Sequence, residues 1–243
     1  MTISSTEAGA ATAPMGLLSR FVGVITSPKA TFQSIVAHPR WFGMLLLTCA
    51  AVSVLVGGFL MTKGGQDAWL EAAANSPFSR GQMSDQQYAG MARMAPYVGY
   101  LAIVQMLVVL PIVYVVTAGI LYLIFTIMSG GTASFKQLFA VVVHTGPIGV
   151  LAQLFTVPMN FAQGSMSSKT NLAVFLPAME GTFVGRLLGT IDLFLIWQFV
   201  VLAIGLGVLY RRRTQPIAIG LFVVYGVIAL TIAAVMSRFG GSN

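Results

Sequence analysis

The sequence has 243 residues, 57% of them hydrophobic and 8% charged, with a mean hydropathy of +0.87. These values exclude a soluble domain and identify an integral membrane protein. A net charge of +7 would suit a nucleic-acid binder in a soluble protein, but here the basic residues flank apolar runs, which is a topology signal and excludes a nucleic-acid partner.

In chain order, residues 1–14 are small and polar and are expected to form a disordered tail, a pattern that does not suit a cleavable signal peptide. A membrane domain is expected over 15–237, with a short tail at 238–243. In MGLLSRFVGVIT (15–26), Met15, Leu17, Leu18, Phe21, Val22 and Ile25 share one helical face, with Ser19, Arg20 and Gly23 mostly opposite. That helix is too short to span. Ser27 is expected to cap a second helix that has Pro28 at its first position. Phe32, Ile35 and Val36 form its apolar face, and His38-Pro39 ends it. The two pieces read as amphipathic interfacial helices that grip the membrane surface, with Arg40 at headgroup level and Trp41 anchoring the first span.

A span needs roughly 20 apolar residues to cross about 30 Å of hydrocarbon. Five stretches qualify: 41–61, 97–128, 138–160, 187–210 and 216–236, giving an all-α polytopic fold of five transmembrane helices. The loop 63–95 should hold two helices, Gln66 to Asn75 and Asp85 to Met94, the latter opened by a capping box at Ser84 to Gln87. The second span would be about 48 Å long at 1.5 Å per residue, so a bend at Pro111 and projection beyond the bilayer are expected. Gly130-Gly131 breaks the chain, Ser134 caps an entry helix to span three, and Gly146-Pro147 predicts a kink. Gly185, Gly189, Ala203, Gly205, Gly207, Gly220 and Gly226 would let helices approach closely.

Topology follows from the basic residues. With the N-terminus inside, Arg20, Lys29, Arg40, Lys136 and Arg211, Arg212 and Arg213 lie in the cytoplasm, against Lys63, Arg80, Arg93, Lys169, Arg186 and Arg238 outside. The margin is small, and the tight turn YRRRTQP decides it, because three clustered arginines resist translocation; an anionic-lipid or partner patch is the second reading of Arg211 to Arg213. This puts the N-terminus in the cytoplasm and the C-terminus outside, in a multi-pass protein expected in a bacterial inner membrane.

Asp192 is the one acidic residue within a predicted span, where a central carboxylate costs on the order of 2.5–3.5 kcal/mol. Tyr100, Gln105, Gln153, Asn160 and Gln198 lie at depths that could meet it. Two readings stand open: an outer-half pocket for a proton, ion or lipid headgroup, or interhelical glue in which these groups satisfy Asp192. His144 is about 15 Å from Asp192 along the membrane normal by helix rise, which does not suit a proton relay. It reads as a packing residue. Cys49 is a single cysteine inside a span, so no disulfide and no metal site is expected. No nucleophile elbow, phosphate-binding loop or zinc-protease motif is present, no cofactor is implied, and the chain is expected not to be an enzyme.

Three segments in order carry a resemblance: SPKATFQSIVAHPRW (27–41) before the first span, Ser134-Phe135-Lys136 before the third, and GTIDLFLIWQFVVLAIGL (189–206) before the basic turn. Together they resemble the Yip1 domain family in its bacterial form, over roughly 15–237. The resemblance implies five spans and a cytosolic N-terminus. Eukaryotic members bind prenylated small GTPases in vesicle traffic, but the short N-terminus here lacks their acidic, aromatic stretch, so GTPase binding does not carry over. The expected function is a non-enzymatic scaffold or adaptor in membrane organisation, with membrane lipids and a second copy or another membrane protein as partners. The alternative is a small transporter or channel using the Asp192 region.

Overall fold

The computed structural model describes residues 15–76, 83–166, 170–179 and 182–239, so the tail 1–14, residues 240–243, Arg80, Lys169 and Glu180 lie outside it. Among the described residues the fold is all helical, with a single isolated bridge between Asn171 and Asp192. Eleven α-helices follow one another: α1 (Leu17–Thr26), α2 (Pro28–Ala37), α3 (Phe42–Met61), α4 (Lys63–Ala74), α5 (Asp85–Met94), α6 (Val98–Tyr122), α7 (Phe135–Val143), α8 (Gly146–Gln163), α9 (Phe183–Thr190), α10 (Leu193–Leu209) and α11 (Thr214–Phe239).

Among the described residues, four helical stretches are long and apolar enough to cross a membrane: Phe42–Met61, Asp85–Met128, Phe135–Gln163 and Thr214–Ser237. The predicted span at 187–210 is not one helix. It is divided at Ile191-Asp192, leaving α10 with 17 residues, or about 25 Å.

Local chemistry explains most boundaries. Capping boxes open α5, where Ser84 Oγ accepts from the Gln87 N–H and Gln87 Oε1 from the Ser84 N–H, and α7, where Ser134 and Gln137 do the same. Thr62 caps α4. Pro111 sits inside α6 without ending it; regular α geometry gives way later, in a π-helical turn at Leu123–Met128. The chain then turns through Gly130, at φ 68°, and the Gly131 N–H closes back on Phe125 O. The break between α7 and α8 falls at His144-Thr145, with Pro147 in the first turn of α8, as the Gly-Pro pair predicts.

The main core forms around α7, where Leu138 to Val143 are all buried. It takes in Phe32 and Ile35 of α2, Ala118 and Leu121 of α6, and Val201, Leu202, Ala203 and Leu206 of α10. Close approach of α10 depends on Gly205, because a Cβ there would stand 2.6 Å from Val141 Cγ1 and 3.0 Å from the Phe32 ring. Gly220 and Gly226 play no such part, since open space surrounds both, which corrects that part of the small-residue expectation. A second, smaller cluster of Phe59, Leu60, Ala68, Val98 and Ala102 ties α3 and α4 to α6. It sits beside a glycine-on-glycine crossing, where a Cβ on Gly99 would lie 2.8 Å from the Gly57 carbonyl.

Candidate functional site

Asp192 does not lie inside a helix; it is the N-cap of α10. Its Oδ1 accepts from the Phe194 and Leu195 N–H groups, at 2.8 and 3.0 Å, and its Oδ2 accepts from the Thr170 hydroxyl. The backbone of the break is satisfied, although the buried Oδ1 of Asn171 beside it has no partner among the described residues. Leu172 N–H donates to Ile191 O and Leu193 N–H to Thr170 O, both at 3.0 Å. Tyr225 of α11 closes the remainder, its hydroxyl donating to Thr190 O and accepting from the Asp192 N–H. Backbone irregular in this way is tolerated in a membrane protein only where its polar groups are met internally.

Beside this junction is a cleft of about 400 Å³ lined by Gln153, Thr156, Asn160, Thr170, Asp192 and Gln198. Of the predicted pocket residues, Gln153, Asn160 and Gln198 thus come together with Asp192. Tyr100 and Gln105 do not: both are exposed on α6, which packs on α3 and α7. Gln198 also bridges to the α7–α8 break, donating to Thr145 Oγ1 at 3.1 Å. Thr170 carries no local signal for this role, because its contact with Asp192 comes from a loop 22 residues away. The cap itself had a local signal, an Asp directly before the apolar run LFLIW.

The N-terminal helices form the second candidate. Phe32 and Ile35 are fully buried in the main core, so the reading in which they grip lipid is corrected: α2 packs its apolar face on α7 and α10. Ser27 is not a side-chain cap. Its N–H donates to Gly23 O, and its carbonyl accepts from both the N–H and the hydroxyl of Thr31. Pro28 occupies the first turn of α2, as expected. Trp41 packs edge-on against Phe139, at 5.1 Å between ring centroids, and so holds the start of α3 to α7.

Arg20, expected on the polar face of α1, is buried. Its Nη1 donates to the carbonyl of the exposed Arg40, at 2.7 Å, and lies 3.3 Å from His144 Nε2. His144 in turn sets Nδ1 2.7 Å from Ala140 O. Burial first, and then the like charge of Arg40, hold the Arg20 guanidinium below its usual pKa. The signal was present in the spacing, since Leu17, Arg20, Phe21 and Val24 form one helical stripe. Leu18 and Val22 face the other way, at 71% and 54% exposure.

The basic turn ends α10 with a Schellman pattern: Arg212 N–H to Gly207 O at 3.0 Å, and Arg211 N–H to Val208 O at 3.4 Å. Arg211 is left-handed there, at φ 52°. All three arginines are exposed, and Arg212 Nη2 donates to Ser129 O. The C-terminal end of α2 meets this same end of the bundle, where Gln137 Nε2 donates to Val36 O.

Comparison with known proteins points to one family. The family model of the Yip1 domain matches residues 22–236. The membrane protein YknW of Bacillus subtilis (strain 168) is 28% identical over 225 residues, covering 90% of this chain and 88% of its own. No solved structure matches.

Proposed function

Because the chain belongs to the Yip1 domain family, we propose that this membrane protein is a non-enzymatic scaffold, acting through helix and lipid contacts in membrane organisation or a trafficking-like process. One observation carries the reading. The α1–α2 pair is pinned to the core by Phe32, Ile35 and Arg20, while Leu18 and Val22 remain outward. A rigidly held apolar edge beside a membrane domain is suited to a lipid surface or a partner helix.

In this reading the protein crosses the membrane five times. Four crossings use the long helices, and the fifth uses α10, whose shortfall against about 30 Å of hydrocarbon is made up by α9. An odd number of crossings would separate the termini, and the arginine turn supports a cytoplasmic N-terminus. A bacterial inner membrane and a partner that is a second copy or another membrane protein complete the proposal. Photo-crosslinking from position 18 in native membranes tests it. The expected product is a protein or lipid adduct that Val22→Asp abolishes, and a position 18 that reacts with neither would end the scaffold reading.

A transport role draws on the cleft around Asp192, with Gln153, Asn160 and Gln198 as its polar lining. Both carboxylate oxygens are already occupied by the helix cap and Thr170, which favours interhelical glue instead. Ion or proton flux in proteoliposomes that vanishes in Asp192→Asn would reverse that preference.

A further inference from the structure

Two depressions meet at Arg212. One is a polar crevice of about 450 Å³ at the basic end of the bundle, with Gly130, Gly131 and Gln137 on one wall and Tyr210 and Arg211 on the other. The second is an apolar groove of about 380 Å³ along the flank, between Leu121 and Phe125 on one side and Ile217, Gly220 and Val224 of α11 on the other. Arg212 lines both, and Arg213 stands with it at the groove. Val224 is 58% exposed and no neighbouring atom lies within 4 Å of a Cβ built on Gly220, so the groove opens sideways to whatever surrounds the bundle.

Charge narrows the occupant. The sequence has no acidic residue from 86 to 179 or from 193 to 243, so the segments that build both depressions carry cations without a carboxylate to neutralise them. Arg212 spends one donor on the Ser129 carbonyl, which leaves most of its five N–H groups unused. The Arg213 side chain makes no hydrogen bond among the described residues. An occupant must therefore be anionic at one end and apolar over the rest.

We propose that the paired depressions bind one anionic glycerophospholipid, its phosphate at Arg212 and Arg213, its polar headgroup in the crevice and one acyl chain in the groove. A guanidinium fork matches two phosphate oxygens at once. An acyl chain gains little over bulk lipid by entering an apolar groove, so selectivity comes from the headgroup and from geometry that holds chain and phosphate together. The site depends on the chain residing in a membrane and not on the scaffold reading; each can fail without the other.

Native mass spectrometry of the full-length protein in detergent tests it, with phosphatidylglycerol and phosphatidylcholine supplied at equal concentration. A one-to-one phosphatidylglycerol adduct is expected, well above the phosphatidylcholine signal. Its affinity should fall about fivefold in Arg213→Gln and about thirtyfold in Arg212→Gln/Arg213→Gln, since each basic residue near a lipid surface contributes on that scale. Lys63→Gln, an exposed cation on α4, should leave it unchanged. Gly220→Phe fills the groove and should weaken retention of both lipids with the arginines intact. Arg213→Gln keeps the result readable if the double substitution unfolds the turn. Equal adducts of the two lipids, or a phosphatidylglycerol adduct indifferent to Arg213→Gln and Gly220→Phe, would overturn the site.

Discussion

Phe32 shows how far a single side chain can differ from its expected role. It lies on the apolar face of a ten-residue helix, a pattern that fits an interfacial helix and a core helix equally well, and burial decides for the core. Phe32→Ala is therefore expected to cost about 3–5 kcal/mol, the usual range for an aromatic removed from a packed core. Thermal denaturation in detergent measures it, and a loss below about 1 kcal/mol would mean that α2 does not pack as described. Arg211 gives the opposite case. Its left-handed conformation is unfavourable for any L side chain by roughly 1–2 kcal/mol, and glycine removes that cost without disturbing the Schellman hydrogen bonds. Arg211→Gly should raise the melting temperature by a few degrees, as about 1 kcal/mol of stabilisation does. An unchanged or lowered value would show that the arginine side chain compensates its backbone.

At the level of elements, what the sequence revealed and what it concealed divide along one physical line. Helices signalled by neighbours in sequence were legible: the capping box at Ser84, a cap at Ser134, Pro28 opening α2, and the stop at Gly130 all agree with expectation. Features that depend on distant contacts were not. The apolar run through residues 187–210 hides a break that needs Thr170 from a loop and Tyr225 from α11, and neither partner is implied by local pattern. Of the candidate pocket, Gln153, Asn160 and Gln198 line one cleft with Asp192, as matched depths allow. Tyr100 and Gln105 do not, because depth says nothing about which way a helix face turns. The junction makes its own prediction. Asp192→Ala removes the cap of α10 and should cost about 0.5–2 kcal/mol, with faster amide exchange at Phe194 and Leu195. Asp192→Asn preserves an acceptor and should cost much less; equal losses would show that the negative charge matters beyond the cap.

For the whole molecule, orientation is the property with the widest reach, and the single cysteine makes it easy to test. Cys49 is buried, so in a Cys49→Ala background a thiol can be introduced at one position at a time. In intact cells, Ser84→Cys is expected to react with a membrane-impermeant maleimide and Thr132→Cys to react only after lysis; the reverse pattern would invert the topology. Another consequence follows from the contact between Arg20 and His144, which are 124 residues apart in the chain, and from that between Val36 and Gln137, 101 apart. The first two helices leave the ribosome before any of their docking partners on α7 and α10 exists. They must wait through most of synthesis with Phe32 and Ile35 uncovered, and dock only when the later helices have been inserted. The N-terminal pair therefore cannot reach its native place until α7 and α10 have been made, well after its own synthesis.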